Sequence, residues 1–475
     1  MSNEDIDASA RRRAGLKVDP FALALVVLLF AEHLMFGANR LDLALAFAIP
    51  EFLLLAALIA TSGGAEPPRL PLKWPAILFG VVLALGIVSL LPIGPPLAHP
   101  LWAYAQAVVP KAGATISLEP FATRVKLVEL AGFAAVFLCA ASIGARREGA
   151  EAMGGYLTVA GLLYSVWAAI AFVADPRTVF GTPKVVGLDR LSGSFFSANS
   201  AGTLFACLTV LGLIGVMRPM IRDRKAGERL KAAEFLKTWP QALLTLLAFI
   251  CLLMSASRGG LLALMAAVLI ALAATAWMKG GKGSLGAGFA AAACLALTLG
   301  VAMFILGGQH TAERLSDTSP LTEDRTKIFA AYWPTIQASP WLGYGLGSFP
   351  SVNHLSMTAS SAHALGNLGA AHDVYIEWLL QEGLPGALAM FGAVGLIVLG
   401  TVKGVARRAN QRWLGVACLG MAAVFAIHGL VDFALEEPSL AAFFSAMLGL
   451  GYGLAERPAS GRMPSGRGGG GRRRG

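Results

Sequence analysis

The sequence predicts an all-α polytopic membrane protein, and three observations predict this fold class. Hydrophobic residues make up 56% of the 475 residues and charged residues only 14%, whereas soluble chains carry about 25% charged residues. The mean hydropathy is +0.66. Apolar runs of about 20 residues, the length that crosses the hydrocarbon core of a bilayer, recur along the chain.

These runs predict about twelve transmembrane helices, and the distribution of basic residues predicts their orientation. If the N-terminus is cytoplasmic, most of the 38 Lys and Arg residues fall in cytoplasmic segments, as the positive-inside rule requires. Both termini are therefore expected in the cytoplasm, and the net charge of +10 indicates topology, not a nucleic-acid partner. The predicted spans lie near 21–38, 41–61, 75–93, 125–143, 154–174, 200–217, 239–254, 259–278, 285–306, 373–402, 413–432 and 439–455.

We predict one membrane domain with two short tails. Residues 1–20 form a basic cytoplasmic tail, 21–455 the transmembrane domain, and 456–475 a disordered cytoplasmic tail rich in Gly and Arg. The start has a basic region before an apolar run but no small-residue cleavage site, so we interpret it as an uncleaved signal-anchor. All five cysteines fall inside predicted spans, without a disulfide pattern or metal-ligand spacing, and we expect no metal and no cofactor.

The longest predicted outward loop, at about 307–371, contains two motifs of its own. The segment "TEDRTKIFAAYWPTIQASP" predicts an amphipathic helix capped by Thr322 and lying on the membrane surface, with Ile328, Tyr332 and Ile336 on one face. The segment "WLGYGLGSF" predicts a tight turn. A plain turn is the favoured interpretation, and a set of backbone N–H groups that binds phosphate is the alternative.

Several arginines remain on the predicted outer side. Arg258 lies in a connection of about four residues between two spans, Arg190 precedes the sixth span, and Arg314 and Arg325 lie in the long loop. They are either interfacial anchors for lipid headgroups or the cationic part of an anion site. Guanidinium groups suit phosphate because they are always charged and bind in a bidentate manner.

Ionisable residues inside spans are candidates for function. Most of these lie near span ends, and only Glu51 is placed clearly at mid-depth, which disfavours a proton-coupled transporter. His372 stands at the start of a span, directly after the long loop, and an imidazole there can act as a general base at neutral pH. The intramembrane candidates are Glu32, His33, Glu51, Glu129 and His428.

Four segments, in order, resemble motifs of the O-antigen ligase and O-antigen polymerase superfamily: "RLSGSFFSANSAGTLFA", "SRGGLLAL", "DRTKIFAAYWPTIQASPWLGYGLGSF" and "AHDVYIEWLLQEGLPG". The resemblance implies a GT-C-like glycosyltransferase of the bacterial inner membrane that acts on the periplasmic side without a metal ion. The implied donor is a glycan on undecaprenyl diphosphate. The implied acceptor is lipid A-core, for a ligase, or a growing polysaccharide, for a polymerase.

The resemblance also implies roles for individual residues. Arg258 and Arg325 match the arginines that hold the diphosphate, and His372 matches the histidine that serves the acceptor. The superfamily's usual Asn after this histidine is Asp373 here, which either contacts a sugar or orients His372. A membrane transporter that depends on Glu51, or an assembly scaffold, would be the alternatives from other classes. Possible accessory residues are Arg190, Asn199, Arg314, Asp373 and Glu377.

Overall fold

A computed structural model describes residues 18–61, 70–94, 98–222, 231–278, 319–366, 368–407 and 412–456, with the backbone alone for residues 319–327, 363 and 364. This part of the chain is helical apart from one short antiparallel hairpin, in which β1 (Thr178–Val179) pairs with β2 (Thr182–Pro183). Two single 3₁₀ turns lie at Phe36–Ala38 and Ala434–Glu436.

Seventeen helices are found within the described residues. Those before residue 279 are α1 (Pro20–Leu34), α2 (Leu41–Thr61), α3 (Lys73–Ser89), α4 (Leu101–Val108), α5 (Pro120–Ala145), α6 (Arg147–Ala174), α7 (Ala198–Val216), α8 (Arg218–Ile221), α9 (Ala232–Leu236), α10 (Trp239–Met254) and α11 (Arg258–Met278). Those after residue 318 are α12 (Ser319–Ala338), α13 (Phe349–Ser356), α14 (Ala362–Leu365), α15 (Val374–Ala406), α16 (Arg412–His428) and α17 (Pro438–Glu456).

The predicted spans coincide with apolar helices wherever the structure describes the chain. Among these residues, seven helices are long and apolar enough to cross a membrane: α2, α5, α6, α7, α11, α15 and α17. Four shorter apolar helices, α1, α3, α10 and α16, occupy four other predicted spans. The predicted span at 285–306 lies outside the described residues, so the count of twelve and the side of each loop stay predictions.

The most buried helices, α7 and α17, form the centre of the bundle. Helix α17 packs along α5 through glycines spaced four residues apart. A Cβ at Gly449 would lie 2.3 Å from the carbonyl oxygen of Phe137, and a Cβ at Gly453 would lie 2.0 Å from that of Ala141. Small residues at this spacing let two helix backbones approach closely within a membrane. The contact fixes α17, and with it the loop that precedes α17.

Helix α15 is broken near its start, which corrects the prediction of one continuous span from 373 to 402. Gly383 has φ 63° and ψ −172°, and Pro385 follows it inside the helix. A Cβ at Gly383 would lie 2.7 Å from the carbonyl carbon of Trp341, so this position requires glycine both for its backbone angle and for space. The polar turns before the break, which carry Glu377 and Gln381, are buried in protein.

Helices α12 and α13 and the N-terminal turns of α15 share a second apolar core. Ile328, Tyr332 and Ile336 lie on one face, as predicted, but this face packs against Phe349 and Leu380 within the protein. The prediction of a helix lying on the membrane surface is therefore wrong, because protein covers the apolar face. Helix α12 begins at Ser319, so Thr322 lies within the first turn and is not the predicted cap.

Candidate functional site

The short connection before α11 places Arg258 at the first position of that helix. Met254 ends α10, and Ser257 caps α11 by accepting a hydrogen bond at its Oγ from the amide of Gly260, 3.2 Å away. A cation at a helix N-terminus opposes the helix dipole, so helix stability does not explain an arginine there. Gly259 is needed for packing and not for the turn, because a Cβ there would lie 2.6 Å from the ring of His428.

Arg190 and Asn199 meet at the same connection. The Nε of Arg190 donates to the carbonyl oxygen of Ser255 at 2.8 Å, and its Nη2 donates to Oδ1 of Asn199 at 2.8 Å. The amide of Leu191 donates to the carbonyl oxygen of Met254 at 3.0 Å. These bonds hold the loop between α6 and α7 against the connection that carries Arg258, so the structure brings Arg190 and Asn199 to a segment about 60 residues further along the chain.

His372 lies just before α15 and contacts the loop between α16 and α17. Its ring lies 4.8 Å from the ring of Phe433 in an edge-on arrangement, and the amide of Val374 donates to the carbonyl oxygen of Gly429 at 2.8 Å. The backbone of His372 has φ 55°, a left-handed conformation that costs a non-glycine residue about 1–3 kcal/mol and persists only where the surroundings impose it.

Asp373 is the N-cap of α15. Its Oδ1 accepts hydrogen bonds from the amides of Tyr375 at 2.8 Å and Ile376 at 3.0 Å. Burial raises the pKa of Asp373, although these two backbone hydrogen bonds oppose the shift. An asparagine Oδ1 can make the same two bonds, and Asn and Asp are equally favoured as N-caps.

Glu377 and Gln381 join the backbone next to His372 to the glycine-rich turn. Oε2 of Glu377 accepts from the amide of Ala371 at 3.1 Å, and its Oε1 accepts from Nε2 of Gln381 at 3.1 Å. Oε1 of Gln381 accepts from the amide of Gly347 at 2.7 Å. Both side chains are buried.

The glycine-rich turn is packed inside the protein and does not present its N–H groups to a ligand. The amides of Tyr344 and Gly345 donate to the carbonyl oxygens of Leu380 and Gln381 at 2.9 and 2.8 Å, and that of Gly347 donates to Gln381. A Cβ at Gly345 would lie 2.6 Å from the side chain of Ser117. The glycines therefore permit close approach to α15 and α5, and the phosphate-binding alternative is wrong.

The loop between α16 and α17, residues 429–437, carries acidic residues that the sequence analysis missed. Asp432 and Glu437 are buried, and Glu436 Oε2 lies 3.4 Å from Nζ of Lys126, which also lies 3.0 Å from Oε2 of Glu129. Burial raises the pKa of Glu437 to about 8, and Asp432 adds to this shift. A usable signal is present in the sequence, since three acidic residues fall within six positions at the end of the predicted span 413–432 and directly after it.

An apolar cavity of about 480 Å³ runs between α3, α5, α15, α16 and α17. Aromatic and aliphatic side chains such as Phe79, Phe137 and Phe391 line most of it. The charged lining residues form one cluster, the polar end of the cavity, in which Lys126 pairs with Glu129 and Glu436. Gln381 is a further polar residue of the lining. Val374 and Gly429, which carry the backbone hydrogen bond beside His372, also line this cavity.

The other predicted residues lie apart from this arrangement or outside the described side chains. Arg325 is in α12, of which the structure gives only the backbone at that position, and Arg314 lies outside the described residues. His428 is closest to the site: its Nδ1 lies 2.7 Å from Oγ1 of Thr203, beneath Gly259. Glu32, His33 and Glu51 are buried deeper, His33 among Phe30, Tyr164, Phe195 and Phe443.

In the part of the chain that the structure describes, no group of three or more His, Cys, Asp or Glu side chains is arranged to hold a metal ion. The α10–α11 connection carries two guanidinium groups, those of Arg190 and Arg258, of the kind that suits a phosphate. The chemical capacity of the site is therefore a histidine ring, guanidinium groups and an apolar cavity that meet around residues 429–437.

Comparison with known families identifies part of this arrangement. Residues 243–391 match a family model described as O-antigen ligase, which is about a third of the chain and includes Arg258, Arg325, His372 and Glu377. The resemblance noted in the sequence is confirmed over this region. Arg190 and Asn199 lie before it, and no curated protein matches the chain.

Proposed function

We propose, on the premise that residues 243–391 are an O-antigen ligase region, that this protein is a membrane glycosyltransferase of the ligase or polymerase type. Its donor is a glycan linked to a polyprenyl diphosphate, undecaprenyl diphosphate in a bacterial inner membrane. Its acceptor is a hydroxyl group on lipid A-core or on a growing surface polysaccharide. The reaction takes place at the periplasmic face, and both termini are cytoplasmic.

One observation carries the proposal: residues 429–437 contact His372 and Gly259, the neighbour of Arg258 in the chain, and form part of the cavity wall. A Cβ at Gly259 would lie 3.0 Å from Cγ2 of Val431, the ring of Phe433 lies against His372, and Gly429 and Glu436 line the cavity. A substrate with an apolar chain, an anionic diphosphate and a sugar finds complementary groups for each of its parts around this loop.

The chemistry follows from these groups. The acceptor hydroxyl oxygen attacks the anomeric carbon of the donor, the bond from that carbon to the diphosphate oxygen breaks, and His372 takes the hydroxyl proton. The leaving polyprenyl diphosphate gains negative charge, which Arg258, with Arg325 as a second cation, stabilises in a poorly hydrated site. Direct displacement inverts the configuration of the anomeric carbon. General-base assistance of this kind contributes about 10²–10⁴-fold to the rate.

Of the two types we favour the ligase, because the matched family model is described as O-antigen ligase. A polymerase uses the same donor chemistry and differs only in its acceptor. Deletion of the gene followed by gel analysis of surface glycans separates the two. Core without O-chain, together with accumulated long donor, supports the ligase; a product with one repeat supports the polymerase; and unchanged glycans contradict both.

A transporter is a second candidate, favoured by the buried carboxylates of Glu32, Glu51 and Glu129 in three different spans. Glu51 is packed so closely on α5 that its Oε2 would lie 2.0 Å from a Cβ at Gly132. Buried carboxylates within a membrane are typical of ion and proton pathways. Transport predicts an activity that Glu51→Gln abolishes and His372→Ala leaves unchanged, which is the opposite of the result expected for the glycosyltransferase.

A further inference from the structure

Glu377 faces two hydrogen-bond donors whose directions are fixed. One is the backbone amide of Ala371, 3.1 Å from Oε2 of Glu377, and the other is the amide nitrogen of Gln381, 3.1 Å from Oε1. Gln381 cannot reverse its amide group without loss, because its own Oε1 accepts from the amide of Gly347 at 2.7 Å. Glu377 must therefore accept at both oxygens, which an ionised carboxylate does and a neutral amide does not.

The carboxylate of Glu377 holds the backbone segment that contains His372, whose conformation is strained. Ala371 directly precedes His372, whose φ of 55° has to be imposed by its surroundings. On the other side of His372, the amide of Val374 bonds to the carbonyl oxygen of Gly429, and Asp373 caps α15. Glu377 supplies the bond on the N-terminal side, so His372 is held from both directions.

The hydrogen-bonded chain continues into the wall of the cavity. Gln381 is a lining residue of the cavity, and the glycine turn that it holds packs on α5, where a Cβ at Gly347 would lie 3.1 Å from Cγ of Lys126. Glu377 also interacts electrostatically with Glu436 and, in the opposite sense, with Lys126, which is itself paired with Glu436 at 3.4 Å. The chain of bonds therefore runs from the polar end of the cavity to the backbone of His372.

We propose that Glu377 and Gln381 are a positioning pair for His372, which deepens the proposed function and rests on it. The pair sets the direction of the imidazole through the backbone of Ala371 and takes no part in proton transfer. A small displacement of a catalytic group can cost about 10²-fold in rate. Loss of either residue therefore lowers kcat. In Glu377→Gln the KM for the donor stays unchanged, because Glu377, unlike Gln381, does not line the cavity.

The hydrogen-bond pattern gives a decisive test, because the pair can be exchanged. In Glu377→Gln, one of the two donors loses its acceptor; in Gln381→Glu, two carboxylates face each other. In the double variant Glu377→Gln/Gln381→Glu, Gln at 377 accepts from Ala371 and donates to Glu at 381, which also accepts from Gly347. All three hydrogen bonds are restored with the roles of the two side chains reversed.

The experiment measures glycan transfer by purified protein in nanodiscs, with a polyprenyl-diphosphate-linked glycan as donor. We expect kcat to fall by about 10²-fold in each single variant and to return to within about threefold of the native value in the double variant. Glu151→Gln is the matched control, because Glu151 pairs with Arg147 at 3.4 Å on an exposed part of α6, and it should transfer at the native rate.

Three results would overturn the inference. The first is a single variant with native kcat. The second is a double variant that stays inactive. If its thermal midpoint shows that this inactive variant is folded, the carboxylate of Glu377 itself takes part in the reaction. The third is a His372→Ala variant as active as native protein in the same assay, which removes the proposed function and the positioning role together. A low kcat in His372→Ala beside a native kcat in Glu377→Gln rejects the positioning pair alone.

Discussion

Oδ1 of Asp373 accepts a hydrogen bond from the backbone amide of Tyr375 at 2.8 Å, and this bond starts the helix that follows His372. The carboxylate is thus engaged with the backbone of its own helix, in a role that the superfamily's usual asparagine can also fill. Asp373 in place of the usual Asn therefore keeps the hydrogen bonds of the N-cap, although it differs from Asn in charge.

We predict that Asp373→Asn keeps both the stability and the transfer activity of the native protein. Asp373→Ala should lose about 1 kcal/mol of stability, because two amides at the start of α15 lose their acceptor. Thermal unfolding in detergent, with both variants compared with native protein, measures the difference. An Asn variant that melts like native protein but no longer transfers glycan would mean that the charge of Asp373 acts on His372.

We predict that His372→Ala lowers transfer by about 10²–10⁴-fold because the general base is removed. Lipid-linked donor should accumulate in cells that carry this variant, as measured by extraction of the lipid fraction and chromatography. The control is His354→Ala, which changes a histidine of α13 outside the site. Normal surface glycan in the His372 variant would remove His372 from the mechanism.

Arg258→Lys should lower transfer by about 10²-fold, since one guanidinium that stabilises the leaving diphosphate is replaced by a point charge. The matched control is Arg147→Lys, which changes an exposed arginine paired with Glu151 and should leave the rate of transfer unchanged. Titration of donor binding, by quenching of intrinsic fluorescence, tests the cause. If the Arg258 variant binds and transfers like native protein, Arg258 is an anchor for lipid headgroups.

Glu437 makes the stability of the protein depend on pH. Burial raises its pKa from 4.5 to about 8 in the folded protein, so the folded state holds a proton that the unfolded state releases. The free energy of unfolding therefore falls as pH rises from about 4.5 to about 8, by at most about 1.4 kcal/mol per pH unit. Thermal midpoints at several pH values should fall less steeply for Glu437→Gln than for native protein, and parallel curves would contradict the assignment.

A bulky residue in the cavity wall should weaken binding of donors with long lipid chains. Ala393 is buried and lines the cavity, so Ala393→Phe fills part of its volume. We expect the KM for a long polyprenyl donor to rise, while a donor with a short isoprenoid chain is used as before. Equal KM values of native protein and variant for both donors would place the lipid chain elsewhere. Ala160→Phe, on the partly buried face of α6, is the control.

The features predicted correctly are those that depend on local sequence. Long apolar runs are sufficient to place the spans that the structure describes, and a connection too short for anything but a hairpin places Arg258 at the N-terminal end of α11. The period of Ile328, Tyr332 and Ile336 predicts one apolar face. What covers that face depends on Phe349 and Leu380, which are distant in sequence, and for this reason the membrane-surface prediction is wrong.

The same limit explains the glycine-rich turn and the acidic loop. The turn offers N–H groups in sequence, but whether they are available depends on carbonyl oxygens of α15 that lie about 35 residues further along. Glu436 and Glu437 gain their positions from Lys126 and Ser200, more than 200 residues away. No single-sequence pattern brings these residues together with His372, because the packing of α17 on α5 does so.

The break at Gly383 divides α15 into two bodies that belong to different parts of the molecule. The turns that carry Glu377 and Gln381 are bonded to the glycine turn and to residue 371, while the residues beyond Pro385 pack with the spans. The angle between these two parts of α15 is thus set at one backbone position, Gly383. A side chain at residue 383 would therefore change the direction in which the segment holding Ala371 and Glu377 leaves the long span.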